Sequence, residues 1–183
     1  SQYIGNDRIP NAAIIYSKDH AKTWNICALA RTNTTESQVA EVEPGVLMLN
    51  MRDNRGGSRA VSTTTDLGKT WKEHESSRTA LQEPVCMASL ISVKAKENVL
   101  GKDILLFSNP NDAKNRHSIT IKASLDGGVT WLPENQLLLD AGWGWGYSCL
   151  TMIDKETVGI LYESSVAHMT FQAIKLKDII KTK

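Results

Sequence analysis

One eight-residue pattern occurs three times in this chain of 183 residues, and it constrains the fold more than any other feature. The copies lie at residues 17–24, 64–71 and 124–131. They share the frame Ser/Thr-x-Asp-x-Gly-x-Thr-Trp, with Ala21 in place of the glycine in the first copy. A pattern that returns about every 50 residues is typical of repeat architectures. The sequence therefore predicts a series of similar structural units.

Each copy follows an apolar run, such as residues 12–16 or 119–121, which predicts that the copy forms the turn of a β-hairpin. Within such a turn the Asp carboxylate can accept hydrogen bonds from backbone amides two residues further on, and the glycine can adopt a positive φ. The final Trp begins the next strand and can bury a large apolar area. We therefore expect the three aspartates to face their own turns rather than a substrate.

Short strand-like runs fill most of the remaining sequence, separated by segments rich in Gly, Pro, Asn and Asp. The predicted strands cover residues 39–42, 46–51, 58–62, 86–93, 103–107, 118–123, 148–153, 158–162 and 166–175, and a short helical turn is expected around residues 176–180. Many short strands with an internal period are typical of a β-propeller. At about 50 residues per blade, the sequence predicts an all-β fold of about three to four blades, which is part of a propeller.

Composition argues against several classes of function. The 21 basic and 20 acidic side chains are scattered and give a net charge of +1, which predicts no nucleic-acid partner. No apolar run approaches the roughly 20 residues of a membrane span, and no signal peptide opens the sequence, although a mature form would have lost one. Cys27, Cys86 and Cys149 form no disulfide framework, and each is expected to pack as a small hydrophobic residue. No His/Cys cluster has metal-ligand spacing, and no cofactor is expected.

A second set of residues is not explained by the repeat. Arg52 closes an apolar strand, where arginine is rare unless it is paired, and Arg116 precedes another strand. Tyr147 follows a loop rich in Gly and Trp, Glu163 ends an apolar run, and Glu36 opens the segment that leads towards Arg52. Taken singly, each of these residues would more often be ion-paired, solvated or simply packed.

Taken together and in this order, these residues closely resemble the sialidase (exo-α-neuraminidase) family, in particular its secreted bacterial members. The most specific match is Glu-x-Gln-Val-x-Glu-Val at residues 36–42, followed by Leu-Asn-x-Arg at residues 49–52. The repeat itself resembles the Asp-box of sialidases and of several unrelated propeller proteins. The resemblance, which covers nearly the whole chain, implies a six-bladed propeller that releases terminal α-linked sialic acid from glycoconjugates. It also implies a secreted or periplasmic protein.

The resemblance implies a role for each residue of the second set. Glu36 matches the family's catalytic glutamate, and Tyr147 matches its nucleophile. Arg52 and Arg116 match the second and third members of an arginine triad. Glu163 matches the acid that braces the first member of that triad.

These residue types suit the implied chemistry. Sialic acid carries a carboxylate on its anomeric carbon, and guanidinium groups can grip it bidentately, as Lys cannot. A carboxylate nucleophile would be repelled by the substrate, whereas a phenol is neutral and can pass its proton to a neighbouring Glu as it attacks. A Tyr therefore stands where most retaining glycosidases use a second carboxylate, and the anomeric configuration is retained.

Two catalytic parts of the family have no match in this sequence. The first triad arginine normally lies in an Arg-Ile-Pro motif, and a long stretch with the acid/base aspartate separates that motif from its Asp-box. Arg8-Ile9-Pro10 is present, but the first Asp-box follows after only a few residues, so Arg8 is expected at an ordinary blade edge. We therefore expect residues 1–183 to be the C-terminal portion of a sialidase propeller, with N-terminal blades upstream in the same protein or in another chain.

A non-catalytic Asp-box propeller is the alternative interpretation. Arginines without an acid/base would suit a protein that binds sialylated glycans or a protein partner. Trp143 and Trp145, which precede Tyr147, fit a sugar site and loop packing equally well, and the sequence leaves both open.

Overall fold

The computed structural model describes residues 2–166 and 168–181, and the regular secondary structure of this part of the chain is almost entirely β. The strands are β1 (Gln2–Ile4), β2 (Pro10–Ala12), β3 (Ile15–Tyr16), β4 (Asn25–Ile26), β5 (Arg31–Thr32), β6 (Thr34–Glu43), β7 (Val46–Asp53), β8 (Gly57–Ser58), β9 (Ala60–Thr64), β10 (Lys72–Glu73), β11 (Gln82–Glu83), β12 (Ser89–Val93), β13 (Ile104–Pro110), β14 (His117–Ser124), β15 (Gln136–Trp143), β16 (Ser148–Met152), β17 (Thr157–Tyr162) and β18 (Thr170–Lys175). One helix, α1 (Leu176–Ile179), follows them, and no helix of the described chain is long and apolar enough to cross a membrane.

Four antiparallel sheets follow one another along the chain as blades. The first blade has the strand order β1-β2-β5, the second β10-β9-β7-β6, the third β12-β13-β14-β15 and the fourth β16-β17-β18. Two-stranded ladders of β3 with β4 and of β8 with β11 accompany them. The sheets do not close into a ring, so the predicted fold class, an all-β chain that forms part of a propeller, is confirmed.

Apolar side chains are buried between successive blades rather than in one central core. All seven residues of β13 are buried, because alternate side chains of this central strand point to opposite faces of the third blade. Leu105 and Phe107 face the core shared with the second blade. Ile104 and Leu106 face the core shared with the fourth blade, into which α1 also packs. The third blade therefore buries one face against the second blade and the other face against the fourth.

The first and fourth blades expose apolar side chains to solvent. Tyr3 and Ile4 of β1 are exposed, and so are Leu161 and Phe171 of the fourth blade, of which Phe171 is 60% exposed. Exposed apolar faces of this kind mark interaction surfaces. In a propeller they are the faces on which further blades pack.

The three Asp-boxes form the turn from β3 to β4, the turn from β9 to β10, and the connection from β14 to β15. Asp66 Oδ1 accepts hydrogen bonds from the Thr64 hydroxyl (2.8 Å) and the Thr70 amide (3.0 Å), and Oδ2 accepts one from the Thr70 hydroxyl (2.7 Å). The carboxylate thus reaches the amide four residues further on, not two as expected. The reason is that Leu67 and Gly68 both have positive φ, 59° and 81°, which curls the chain back over the carboxylate. Each aspartate is used by its own turn, as predicted.

The tryptophans that end the Asp-boxes differ in burial. Trp131 is buried and Trp71 is partly buried, but Trp24 is 58% exposed, so the expected burial is wrong for the first copy. Ile15 and Ile26 of the same hairpin are exposed too, because no other sheet of the described chain covers β3 and β4. The prediction of buried cysteines also fails for Cys149, which lies on the solvent side of β16.

The Asp-boxes and the candidate site residues lie at opposite edges of the blades. Arg52 is near the end of β7, whereas the second Asp-box starts at Thr64, which pairs with Leu47 near the start of β7. In the third blade, Arg116 directly precedes β14, and the third Asp-box directly follows it. We call these edges the Asp-box edge and the site edge.

A buried ion pair of Arg59 and Glu83 joins the second blade to the segment that leads into the third. The two side chains are 1% and 0% exposed. Arg59 Nη1 donates to Glu83 Oε2 (2.8 Å) and to the Cys86 carbonyl (2.7 Å), and its Nε donates to Asn50 Oδ1 (2.6 Å). Glu83 Oε1 accepts the Asp53 amide at 2.8 Å. The pair therefore ties the end of β7 to the segment around Cys86.

We expect Asp66→Ala to lower stability in a pH-dependent way. Hydrogen bonds from the Thr70 amide and hydroxyl and from the Thr64 hydroxyl lower the pKa of Asp66 from its ordinary 3.8 to about 2. Because the folded-state pKa lies below the unfolded one, this carboxylate stabilises the fold fully above about pH 4, and the contribution is lost as the pH falls towards 2. Urea midpoints of the variant and the wild type should therefore differ at pH 6 and converge as the pH falls through this window. Glu134→Ala, which removes an exposed carboxylate with no hydrogen bond among the described residues, should leave the midpoint unchanged, and a gap for Asp66→Ala that is independent of pH would contradict the assignment.

We expect Glu83→Gln to lower the free energy of unfolding by about 3–5 kcal/mol, because it leaves the Arg59 charge buried without its counter-charge. The double variant Arg59→Met/Glu83→Gln removes both charges and should be destabilised by less than the sum of the two single variants. Guanidinium denaturation of the four proteins in this cycle measures the coupling. Strict additivity would show that the two side chains are not energetically paired.

Candidate functional site

The site is built on Glu36, whose direction is set by an irregularity of β6. Thr34 pairs with Asp53 of β7, but Ser37 pairs with Met51, so β6 contains one more residue than β7 between these pairs. Such a bulge bends a strand and re-aims the side chains next to it. Glu36 lies within the bulge and reaches Arg52, whose Nη1 donates to Glu36 Oε2 at 2.7 Å.

The backbone of Tyr147 makes two hydrogen bonds with Glu163, which directly follows β17. Its amide donates to Glu163 Oε2 at 2.9 Å, and its carbonyl accepts the Glu163 amide at 3.0 Å. The preceding Gly146 has φ 88°, and a Cβ there would lie 2.6 Å from Pro110 Cγ, so only glycine fits this approach to the phenol. Glu163 therefore fixes the backbone from which the Tyr147 side chain extends.

Glu36, Arg52 and Tyr147 form one contact cluster. The Tyr147 hydroxyl donates a short hydrogen bond to Glu36 Oε1, and Arg52 Nη1 lies 3.4 Å from the same hydroxyl. The side chains are partly accessible, Arg52 to 19% and Glu36 to 38%. The structure thus brings these three predicted site residues together, although they are separated by up to 111 positions in the sequence.

The contacts in this cluster shift the pKa values of Glu36 and Tyr147 in opposite directions. Donation to Glu36, followed by burial, raises the pKa of Tyr147 above its ordinary value of 10.0. Burial also acts to raise the pKa of Glu36, but the hydrogen bond from Tyr147 and the charge of Arg52 outweigh it, so the pKa lies below the ordinary 4.5. At neutral pH the pair therefore consists of a protonated phenol and an ionised carboxylate that shares its proton through a hydrogen bond.

Donors around Glu36 remain unused. Arg52 Nε and the hydroxyls of Thr35 and Ser37 are buried, and none of them has a hydrogen-bond partner in the described part of the chain. An unpaired buried polar group costs about 1–3 kcal/mol, so each of these three groups calls for a partner such as water or a ligand. With Nη1 bonded to Glu36, the free Nε leaves Arg52 able to donate to an additional anion.

Arg116 lies beside the Tyr147 loop and makes no hydrogen bond to Glu36, Arg52 or Tyr147. Its Nη1 donates to the Trp145 carbonyl (3.0 Å), and its Nη2 donates to the Val85 carbonyl (3.2 Å). Val85 has φ 50°, which is a strained conformation for a β-branched residue. In this conformation the carbonyl of Val85 accepts the hydrogen bond from the guanidinium.

Cys86 is a buried residue close enough to both Arg52 and Arg116 for their charges to act on its thiol. Burial raises the pKa of its thiol to about 11, even though the charges of Arg116 and Arg52 act in the opposite direction. The thiol is therefore protonated at neutral pH and serves as packing against Gly146, where a Cβ would lie 3.2 Å from the sulfur.

The other sequence features lie away from this cluster. Arg8 is exposed in the turn between β1 and β2, where its amide donates to the Gly5 carbonyl (3.0 Å). Within the described residues, no group of three or more His, Cys, Asp or Glu side chains could hold a metal ion.

The residues that support the site were not identified from the sequence. Arg59 is a charged residue within a run predicted as a strand, which is the same feature that singles out Arg52. Glu83 and Val85 flank Pro84 in a segment without periodicity, which carries no comparable signal.

The chain is similar to a known repeat domain, to known sequences and to solved structures. Residues 2–160 match the BNR repeat-like domain. The chain is 77% identical over 181 residues to a sialidase of Bacteroides fragilis, an alignment that covers 99% of this chain and 33% of the relative. A solved structure, the Hadza microbial sialidase, superposes with a TM-score of 0.95 at 73% identity, over 98% of this chain and 35% of that one. The sialidase of Trypanosoma rangeli in complex with 2,3-difluorosialic acid superposes with a TM-score of 0.75 at 21% identity, over 96% of this chain and 28% of that one, and shows a shared fold.

The chain thus spans about a third of the length of the Bacteroides and Hadza relatives. The match to the repeat domain covers most of the chain, and the likeness to proteins named sialidases agrees with the resemblance seen in the sequence. The chain belongs to the BNR repeat-like domain family, and it is similar to about a third of the length of bacterial proteins named sialidases.

Proposed function

We propose that the protein to which this chain belongs is a retaining exo-α-sialidase, with Tyr147 as nucleophile and Glu36 as its base. The observation that carries this proposal is the direct hydrogen bond from the Tyr147 phenol to a carboxylate that also pairs with Arg52. The similarity to proteins named sialidases supports it independently.

In the first step, the Tyr147 oxygen attacks the anomeric carbon of the bound sialic acid, and its proton passes to Glu36 Oε1. The bond from that carbon to the glycosidic oxygen breaks, and its electron pair leaves with the aglycone oxygen. A water then gives a proton to the acid/base group of the upstream blades and attacks the anomeric carbon from the vacated side. The bond from that carbon to the Tyr147 oxygen breaks, and the departing phenolate takes its proton back from Glu36. Two displacements at one carbon retain its configuration.

Arg52 and Arg116 serve as the grip on the substrate carboxylate. The unused Nε of Arg52 and the partly exposed guanidinium of Arg116 supply donors for it. When a substrate carboxylate draws on Arg52, that arginine stabilises the Glu36 carboxylate less, which favours transfer of the phenol proton.

The remaining parts are assigned to other blades of a longer protein. The acid that protonates the aglycone and the first arginine of the triad have no counterpart at the site edge of the described chain. Glu163 uses Oε2 on the Tyr147 amide, and we assign its other oxygen to bracing that arginine. We place these groups on upstream blades that pack on the exposed apolar faces, in a secreted or periplasmic protein that meets sialylated glycans.

The phenol–carboxylate pair favours catalysis over glycan binding alone. A lectin would need the arginines, but it gains nothing from a phenol that donates its proton in a hydrogen bond to a carboxylate. The non-catalytic alternative therefore has less support from this geometry.

We expect Tyr147→Phe in the full-length protein to lower kcat on an α-sialoside by about 10³-fold or more, because it removes the nucleophile. Initial rates with a fluorogenic α-sialoside measure the loss. Tyr162→Phe provides the matched control, since Tyr162 is a neighbouring tyrosine whose hydroxyl accepts a hydrogen bond from Gln172 (2.8 Å) and lies outside the cluster. Full activity of Tyr147→Phe would contradict the proposed mechanism, and proton NMR of the first sialic acid anomer released tests retention.

A further inference from the structure

Three arginine side chains meet at one buried carboxylate, that of Asp53, at the end of β7. Arg55 Nη1 lies 3.1 Å from Asp53 Oδ1. Arg78 Nη1 and Arg31 Nε lie 3.3 Å and 3.5 Å from Asp53 Oδ2. The carboxylate is fully buried, whereas each of the three arginines is partly accessible. We call Arg31, Arg55 and Arg78 the arginine cluster.

The arginine cluster lies at the site edge, but on the other face of the blade from Arg52. Asp53 directly follows Arg52 in β7, and successive side chains of a strand point to opposite faces of its sheet. Leu49 and Met51, which share a face with Asp53, pack in one core with Ala12 of the first blade. The cluster therefore lies where the first and second blades join, apart from the contacts of Glu36, Arg52 and Tyr147.

The arginine cluster carries more positive charge than its partners neutralise. Besides Asp53, the one carboxylate of the described chain in contact with it is that of Glu73, whose Oε1 accepts Arg31 Nη1 at 2.8 Å. Three guanidinium groups thus face two carboxylates, which leaves one positive charge in excess. Because partial burial makes an uncompensated charge costly, this position favours an additional anion.

The protein holds each guanidinium by one nitrogen and leaves another free. Arg55 Nη1 donates to the Thr32 carbonyl at 2.9 Å. Arg78 Nη1 donates to the Ser58 carbonyl at 2.7 Å. The Nη2 atoms of all three arginines make no hydrogen bond within the described chain, and Arg31 Nε is buried without a hydrogen-bond partner there. With side chains 26%, 39% and 30% exposed, the free donors can be reached from solvent.

This set of free donors matches a tetrahedral oxyanion. A sulfate or phosphate monoester has three terminal oxygens, one for each guanidinium, whereas a carboxylate has two and is satisfied by a single bidentate arginine. Arginine is the preferred partner of such groups because its planar donors fit their geometry. Since the protein carbonyls and carboxylates already fix the three side chains, little side-chain freedom is lost when the anion binds.

We propose that Arg31, Arg55 and Arg78 form an anion-binding site that takes a sulfate or phosphate group. The group is either carried as an ester by a glycan that lies across the site edge or free in solution as the inorganic anion. The site is separate from the cluster of Glu36, Arg52 and Tyr147, and it does not depend on the function proposed above.

The test is isothermal titration calorimetry of the full-length protein with inorganic sulfate, inorganic phosphate, galactose 6-sulfate and galactose. We expect binding of the anions and none of galactose. Arg55→Gln should weaken the binding by about 10-fold or more, because it removes a charged donor to the anion. Arg55→Lys keeps the charge but loses the fork of donors, so its affinity should be intermediate. Lys69→Gln, which removes an exposed positive charge at the Asp-box edge of the same blade, should bind as the wild type does.

Tighter binding of galactose 6-sulfate than of the inorganic anions supports the site and assigns it to a glycan ester, and the reverse order supports it as a site for the free anion. Absence of binding for all three anions overturns the proposal, and so does equal affinity for galactose and galactose 6-sulfate. Arg52→Gln locates the anion, since binding that is lost in this variant and intact in Arg55→Gln would place it at the Tyr147 cluster instead. Thermal unfolding without anion checks that each variant is folded, and Arg55→Lys carries the comparison if Arg55→Gln is not.

Discussion

The ion pair of Arg59 and Glu83 is the interaction on which the site edge depends. Glu83 accepts the Asp53 amide, one residue after Arg52, and Arg59 donates to the Cys86 carbonyl, one residue after the carbonyl that holds Arg116. The buried pair therefore helps to fix the positions of two guanidinium groups, those of Arg52 and Arg116, which belong to different blades. Because both partners are fully desolvated, losing either charge leaves the other exposed to a low-dielectric interior. This gives the pair a positional role beyond any net contribution to stability.

Around that pair the site is assembled from irregular backbone at the ends of regular strands. A bulge aims Glu36, a glycine with positive φ lets the chain pass Pro110 before Tyr147, and a strained Val85 presents its carbonyl to Arg116. The strands between these points are conventional and supply rigidity. Strain at a functional site persists only where the surroundings over-determine it, and here the inter-blade cores do so.

Much of the fold could be predicted from the sequence, because Asp-box turns and short apolar strands are local signals. β15 lies outside the predicted strands, since its three consecutive leucines show no alternation. Asn109 and Pro110 are residue types typical of turns, but they pair with Thr120 and Ile119 within the ladder of β13 and β14. The exposure of Trp24 could not be predicted either, because it depends on which sheet covers the first hairpin. The local sequence pattern carries no information on which sheet packs over a hairpin.

The site could be predicted only in part. The motif order pointed to Glu36, Arg52 and Tyr147, and these meet in the structure. Arg116 donates to the carbonyls of Trp145 and Val85, and only tertiary packing decides this choice of partners. Glu83 carries no local signal at all, because its partners come from three separate segments.

The division of each blade into two chemically distinct edges has a consequence for how such a protein can change. Substitutions at the turns with the repeated frame would alter how much folded protein accumulates, whereas substitutions at the opposite edge would alter what the folded protein recognises. The residues behind the two properties are separated by the length of a strand. A lineage with this scaffold can therefore change its specificity through substitutions at the site edge, while the Asp-box turns that stabilise the fold stay the same.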